Sequence, residues 1–296
     1  MERVKVDRAW IGAPIGAAWA NPTVCLFVAA YGLLALGSIG YLAGALPALI
    51  VVPVNALAIY GCFTVMHEGV HRVAHRDPSW NDALARLSAL PLTFTFPMFR
   101  AVHNEHHAHT NDLARDPDFI VARSPRWAAP LWFVGVIVEY RLHFYGRRLW
   151  RSTGDLVEGI AMDVLLLLAL AAALASGVML PLLVVWIGPA LIAVLVLAFA
   201  FDFLPHYPYD TAERWFDTRI YPGRFLNAVL LGQNYHLIHH LWTTIPWYRY
   251  RSVFAQIGGE LTANGCRIGW KVAPLPDGVA PLPDKVATLP VEARVR

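Results

Sequence analysis

The chain has 296 residues, of which 57% are hydrophobic and 15% charged, and its formal net charge is +3. Soluble domains carry roughly 25% charged residues, so the composition excludes an ordinary water-soluble fold. The small positive balance fits retained cytoplasmic loops and gives no reason to expect a nucleic-acid partner. Cys25, Cys62 and Cys266 lie far apart, in no metal-binding spacing, and supply no disulfide framework.

The chain opens on a charged segment, MERVKVDRAW, that leads into an apolar stretch too long for a signal-peptide core and is expected to be retained. No Asp, Glu, Lys or Arg occurs from Ala9 to Met66. A membrane-crossing helix needs about 20 apolar residues to span about 30 Å. This block therefore predicts two helices, at about residues 23–75, with a turn near Leu46-Pro47. Gly37, Gly40 and Gly44 suit close helix packing.

A long interfacial region follows, to about residue 158. Its apolar runs, Leu87 to Phe99 and Trp127 to Val138, are too short to span and read as re-entrant or interfacial helices. Arg147, Arg148 and Arg151 are expected at lipid headgroups, an acidic partner being the second reading. A second charge-free block, Val164 to Phe201, predicts another helix pair over 160–206, turning near Leu180-Pro181. Trp242, Trp247, Tyr248 and Tyr250 fit a membrane-interface belt as well as a substrate wall.

The fold predicted is an all-α integral membrane protein with four transmembrane helices in two hairpins and a helical cap. One domain covers residues 1–271, and a proline-rich extended tail covers 272–296. Two spans before residue 75 and two between 160 and 205 put every charged segment on one membrane face. The positive-inside rule makes that face, with both termini, cytoplasmic, and a bacterial inner membrane is the expected location.

All twelve histidines lie on that face. His67, His71 and His75 stand in HEGVHRVAH; His103, His106, His107 and His109 in HNEHHAH; His206 in FDFLPHYP; and His236, His239 and His240 in NYHLIHH. Residues at i, i+3 and i+4 share a helix face, so H-x-x-x-H aims two imidazoles one way and each H-x-x-H-H aims three. The first box continues the second span past its end, and His206 ends the fourth, so the four groups are expected at one level. Eight or nine imidazoles exceed the four positions of one tetrahedral zinc and suit two metals of higher coordination number. Glu68, Glu105, Asp116, Asp118 and Asp202 are placed to offset the positive charge and orient ring N–H groups. His75 and His109 lie one step outside their boxes and Asn234 just ahead of the last one, all three candidates for a supporting layer, while His143 stands alone and reads as structural.

His67-Glu68-Gly69-Val70-His71 is also H-E-x-x-H, the zinc-protease pattern. That reading leaves both H-x-x-H-H boxes without a role. A metal transporter would need ligands or charges inside its spans, and the charge-free blocks hold no Asp, Glu, Lys or Arg.

The box set resembles the membrane fatty-acid desaturase/hydroxylase superfamily, whose histidines bind a non-haem di-iron centre. Within it, HEGVHRVAHR, TFTFPMFRAVHNEHHAHTNDLARDPD, FYGRRLWR, FDFLPHYP, RIYPGRFLNAVLLGQNYHLIHHLW and TIPWYRY are similar to the cyanobacterial-type β-carotene 3-hydroxylases and cover most of residues 60–252. The resemblance implies a cap holding two iron ions, with His67, His71, His103, His106, His107, His206, His236, His239 and His240 as ligands. It also implies O₂ as co-substrate, a lipid-soluble carotenoid hydroxylated at ring C3, and a ferredoxin-type electron donor. Fatty-acyl desaturation on the same centre is the second reading. The chain departs from those hydroxylases at Glu68, where they carry aspartate. Asp202 stands four residues before His206, where animal acyl desaturases carry an asparagine.

Overall fold

The computed structural model describes residues 4–14, 20–123, 126–272 and 274–282. Among them no strand forms beyond an isolated parallel bridge between Ile220 and Ile268. The chain folds into two compact units, one of Met1–Gly12, His103–Leu142 and Ala198–Arg296, the other of Ala13–Val102 and His143–Leu197.

Among the described residues four helices are long and apolar enough to cross a membrane: α1 (Pro22–Leu42), α2 (Ala48–Val70), α6 (Thr153–Ala175) and α7 (Met179–His206). Between them lie α3 (Pro78–Ala89), α4 (Phe96–Ala108) and α5 (Ala129–Gly146).

In the second unit α1 packs along α2. Asn21 caps α1 by accepting the Thr23 N–H, with Pro22 in the first turn where its missing N–H costs nothing. A Cβ on Gly37 would sit 2.3 Å from Asn55 Oδ1, so glycine is what lets the two helices approach. Gly40 likewise abuts Leu46, whereas Gly44, with φ +71°, serves the turn instead. The Asn55 amide donates to Ser38 Oγ at 3.1 Å and to the Val185 carbonyl at 2.8 Å. Val185 lies in a π-helical turn of α7, Leu183–Ile187, a geometry that frees carbonyls from the regular ladder. The other end of α2 is held by α3. Gly69 meets Ala85, where a Cβ would come within 2.4 Å, and the Asn81 amide donates to the Gly69 carbonyl at 2.9 Å.

The turn before α7 falls at Ser176–Val178, with Gly177 at φ +73°. It comes slightly before the Leu180-Pro181 step, because Pro181 is accommodated in the helix's first turns. The apolar run Leu87 to Phe99 is no single helix. It covers the end of α3, a 3-10 turn at Leu90–Leu92 and the start of α4, broken by Thr93 at φ +63°. The run Trp127 to Val138 enters α5 from a 3-10 turn at Arg126–Ala128.

In the first unit, α8 (Arg224–Val229), α9 (His236–Leu241) and α10 (Tyr250–Ala263) follow the last span. Leu237, Ile238, Leu241, Tyr250, Val253, Ile257 and Leu261 form one apolar core with Ile220 and Ile245. Gly232, at φ +83°, lies so close to the Trp247 carbonyl that a Cβ would approach it to 2.5 Å. Part of the proline-rich tail is anchored here, through Thr211 Oγ to the Ala280 carbonyl (2.9 Å) and the Leu282 N–H to the Asp210 carbonyl (2.6 Å). The expectation for residues 283–296 lies outside the described residues.

Candidate metal centre

α9 is amphipathic in an unusual sense. Its leucines and isoleucine enter the apolar core, which turns His236, His239 and His240 to the other side, all three buried. α4 contributes His103, His106 and His107, and the end of α7 contributes His206. Within the first unit these seven imidazoles gather in two adjoining groups.

The larger group is a quartet. The ring centroids of His106, His206, His236 and His240 lie 4.6–5.2 Å apart in five of their pairs. One ligand atom from each falls within 4.8 Å of all the others. His240 Nε2 lies 3.3 Å from His106 Nε2 and 3.1 Å from His236 Nε2. The second group is a trio in which His107 Nε2 faces His103 Nε2 at 3.0 Å and His239 Nε2 at 2.9 Å. His240 belongs to both, since it also shares a ligand set with His107 and His239.

The outer nitrogens decide what the inner ones can be. Asp116 Oδ1 lies 2.9 Å from His106 Nδ1, and Asp118 Oδ2 lies 3.3 Å from it. An ionised carboxylate only accepts, so Nδ1 carries the proton. Asn111 donates both amide hydrogens, to the Thr211 and Asp217 carbonyls at 2.9 and 2.8 Å, which leaves its Oδ1 to accept from His206 Nδ1 at 3.2 Å. Gln233 Oε1 lies 3.4 Å from His236 Nδ1. With Nδ1 protonated, neutral His206 and His236 present a bare lone pair at Nε2, and His106 does so once a cation has displaced its second proton. Nε2 atoms of several rings face one another at hydrogen-bond distance, and the buried His206 Nε2 has no hydrogen-bond partner. Facing acceptors repel unless a cation stands between them, so the donor set fits a metal ion.

Charge supports the same fit. Burial pushes His106 toward the neutral form, but the carboxylates of Asp116 and Asp118 outweigh it and raise its pKa to about 10. The field that holds a proton there holds a metal cation as well. His240 goes well below its usual value, through burial and then the neighbouring imidazoles, which keeps it neutral and able to ligate. Asp116 also closes its own loop, accepting from the Asn111 N–H at 2.7 Å and the Asp118 N–H at 2.9 Å. Tyr140 donates to Asp118 at 2.7 Å.

His67 and His71 belong to the other unit. His67 is buried on the last turn of α2 and His71 is the residue that ends it, their ring centroids 5.1 Å apart. Glu68 is also buried, with Oε1 3.7 Å from His67 Nδ1. Of the other named residues, His75 Nδ1 accepts the Asp77 N–H in the turn before α3 (3.0 Å), and Glu105 and His109 pair with each other at 3.8 Å on a partly exposed stretch. Asn234 donates to the Tyr221 carbonyl at 2.8 Å, and Asp202 accepts from Tyr209 through its backbone oxygen at 2.9 Å.

Three supporting residues escaped the sequence reading. Asn111 and Gln233 carry no periodic signal, and their partners are found only in the fold. Tyr250 was grouped with an interfacial aromatic belt, yet it is fully buried, and its hydroxyl lies 3.0 Å from His239 Nδ1.

Among the described residues, four helices apolar enough to span and a nest of imidazoles that could hold metal are the features of a membrane protein with a histidine-built site. The model of the family named "Fatty acid desaturase" matches residues 43–271, and the chain belongs to that family. It is 26% identical to the sn-1 oleoyl-lipid 12-desaturase of Arthrospira platensis over 249 residues, 72% of this chain and 70% of the relative. It is 28% identical to the dihydrorhizobitoxine desaturase of Bradyrhizobium elkanii over 215 residues, 64% and 61% of the two chains. It is also 26% identical to the β-carotene 4-ketolase of Protosiphon botryoides over 200 residues, 64% of this chain and 46% of the relative. The chain is thus an oxidoreductase of the membrane desaturase/hydroxylase superfamily.

Proposed function

We propose that the chain is an O₂-dependent di-iron hydroxylase of carotenoid rings, adding hydroxyl at C3 of a β-ionone ring to give cryptoxanthin and zeaxanthin. The observation that carries the metal chemistry is the quartet of converging Nε2 atoms, with His106, His206 and His236 backed by Asp116, Asn111 and Gln233. In this reading His106, His206, His236 and His240 hold one iron. His103, His107 and His239 take part in holding the other, for which the resemblance also names His67 and His71 as ligands. Two bound irons would supply the oxidising power for an unactivated C–H bond, which no side chain can supply.

The protein's own contribution is ligation, orientation and exclusion of water. Neutral ligands leave the ions' charge uncompensated, and Asp116 and Asp118 offset it from behind His106. In this reading the centre lies at the cytoplasmic edge of the membrane, where an apolar polyene would enter from lipid and a ferredoxin-type protein would deliver electrons from water. Two hairpins and both termini on the cytoplasmic side of a bacterial inner membrane complete this topology.

Support for the carotenoid comes from relatives named as β-carotene and zeaxanthin ketolases and from the segments similar to β-carotene 3-hydroxylases. Fatty-acyl desaturation is the second reading. It is favoured by the oleoyl-lipid desaturases, which match over a larger share of the chain. Expression in a β-carotene-producing bacterium, with pigment and lipid analysis, separates the two. Cryptoxanthin or zeaxanthin supports the hydroxylase, while unchanged pigment beside newly unsaturated acyl chains transfers the function to the desaturase.

A further inference from the structure

A lipid-soluble substrate can reach a buried centre from the membrane, but a hydrated metal ion cannot, because stripping its water in hydrocarbon has no compensation. The first unit contains a cavity of about 440 Å³ that meets this need. Its inner wall includes His107 and His240, a member of each histidine group, and its remaining lining includes Asp217, Asp112, His109 and Arg214. The lining is as much apolar as polar, and besides the histidines its ionisable groups are two carboxyls and one guanidinium. That guanidinium is tethered, donating to the His240 and Leu241 carbonyls at 3.2 and 2.8 Å.

Asp217 is the unexplained member. It is only 4% exposed, and its Oδ1 has no hydrogen-bond partner. A buried, unpartnered carboxylate oxygen costs free energy unless something visits it. Burial raises its pKa to about 8, so a proton and a metal cation would compete for the same oxygen. Its backbone carbonyl accepts from Asn111, the residue that orients His206, so its position is tied to that of the quartet.

We propose that this cavity is the passage by which a divalent metal ion enters the histidine nest, with Asp217 as its transient carboxylate ligand. The inference rests on the two-metal reading above. A hydrated ion exchanges one water for an Asp217 oxygen, then exchanges that oxygen for the imidazoles of His107 and His240. No electron moves, and protons leave only from groups the ion displaces. A hard carboxylate that precedes neutral imidazoles suits an ion that must be caught first and dehydrated afterwards.

The test uses the full chain, purified in detergent and stripped of metal, with Co²⁺ as the probe. Uptake is followed by visible absorption and final stoichiometry by elemental analysis. Ala212 is an exposed residue on the cavity wall, so Ala212→Trp should narrow the passage without disturbing the core. Asp217→Asn should remove the transient ligand and keep its shape. Both are expected to slow uptake tenfold or more while reaching the wild-type stoichiometry. Wild-type uptake rates in Ala212→Trp overturn the passage, and wild-type rates in Asp217→Asn overturn the role of the carboxylate. If the unsubstituted chain takes up no Co²⁺, the metal centre itself fails and the passage with it. Normal stoichiometry with unslowed variants removes the passage alone.

Discussion

The two histidine groups are built from the same residue type and share α4 and α9, with His206 of α7 in the quartet alone, yet they are supported differently. Behind the quartet stand oxygens that can only accept: the Asp116 and Asp118 carboxylates at His106 and the Asn111 amide oxygen at His206. Behind the trio, the partner of His239 is the Tyr250 hydroxyl, which can donate or accept. The quartet thus has the Nδ1 protons of His106 and His206 and part of its counter-charge fixed before any metal arrives, whereas the trio has a neutral, adaptable support at His239. One folded unit can therefore offer a prearranged site beside one that is more loosely specified.

The largest expected effect tests whether the groups are separate. His240 shares ligand sets with both, so His240→Ala should lower bound metal by more than one equivalent from an expected two. His236 belongs to the quartet alone, and His236→Ala should leave about one equivalent. Elemental analysis of the purified variants reads the difference. Equal losses in the two would erase the distinction between the groups.

Next in size is the support layer. Asp116→Asn keeps an oxygen for the loop's N–H groups but removes the charge facing His106. Loss of such a supporting partner typically weakens metal binding about 10–100-fold. The loss should fall on the quartet, with the second equivalent bound as before, as competition with a chelator would reveal. Tyr250→Phe removes only a neutral hydroxyl from His239 and should weaken the trio by less than about tenfold. A larger effect from Tyr250→Phe than from Asp116→Asn would reverse the comparison.

Much of this arrangement was legible in the sequence, and the parts that were not have a common cause. The four spans follow from charge-free blocks, because crossing a bilayer is mainly a matter of length and apolarity. In the fold α1 ends at Leu42 and α2 begins at Ala48, with Leu46 and Pro47 between them, and the last apolar helix ends at His206. Hydropathy could not distinguish the roles of the helices. α2 and α6 have mean hydropathies of 2.0 and 2.2, yet 67% of the apolar window of α2 is buried against 11% for α6. What separates them is contact with neighbours, through Gly37, Asn55 and Gly69, which no local average records. The same holds at the site. H-x-x-H-H spacing makes three imidazoles share a face, so the ligand candidates were readable. Their partners were not, because Asn111 is 95 residues from His206 in sequence and reaches it only after folding.

The smallest expected effect lies outside both groups and tests whether proximity in sequence to a box implies a part in the site. His75 follows His71 by four residues, yet its Nδ1 is committed to the Asp77 N–H at 3.0 Å. Asp77 in turn caps α3 by accepting from the Ser79 and Trp80 N–H groups at 2.8 and 3.1 Å. Replacing His75 by alanine removes one partly exposed hydrogen bond, worth about 0.5–1.5 kcal/mol, and should lower the thermal midpoint slightly. Metal content should not change, because the nitrogen that is lost already has a backbone partner. Loss of an equivalent in His75→Ala would mean that the turn before α3 holds the histidines at the end of α2 in place.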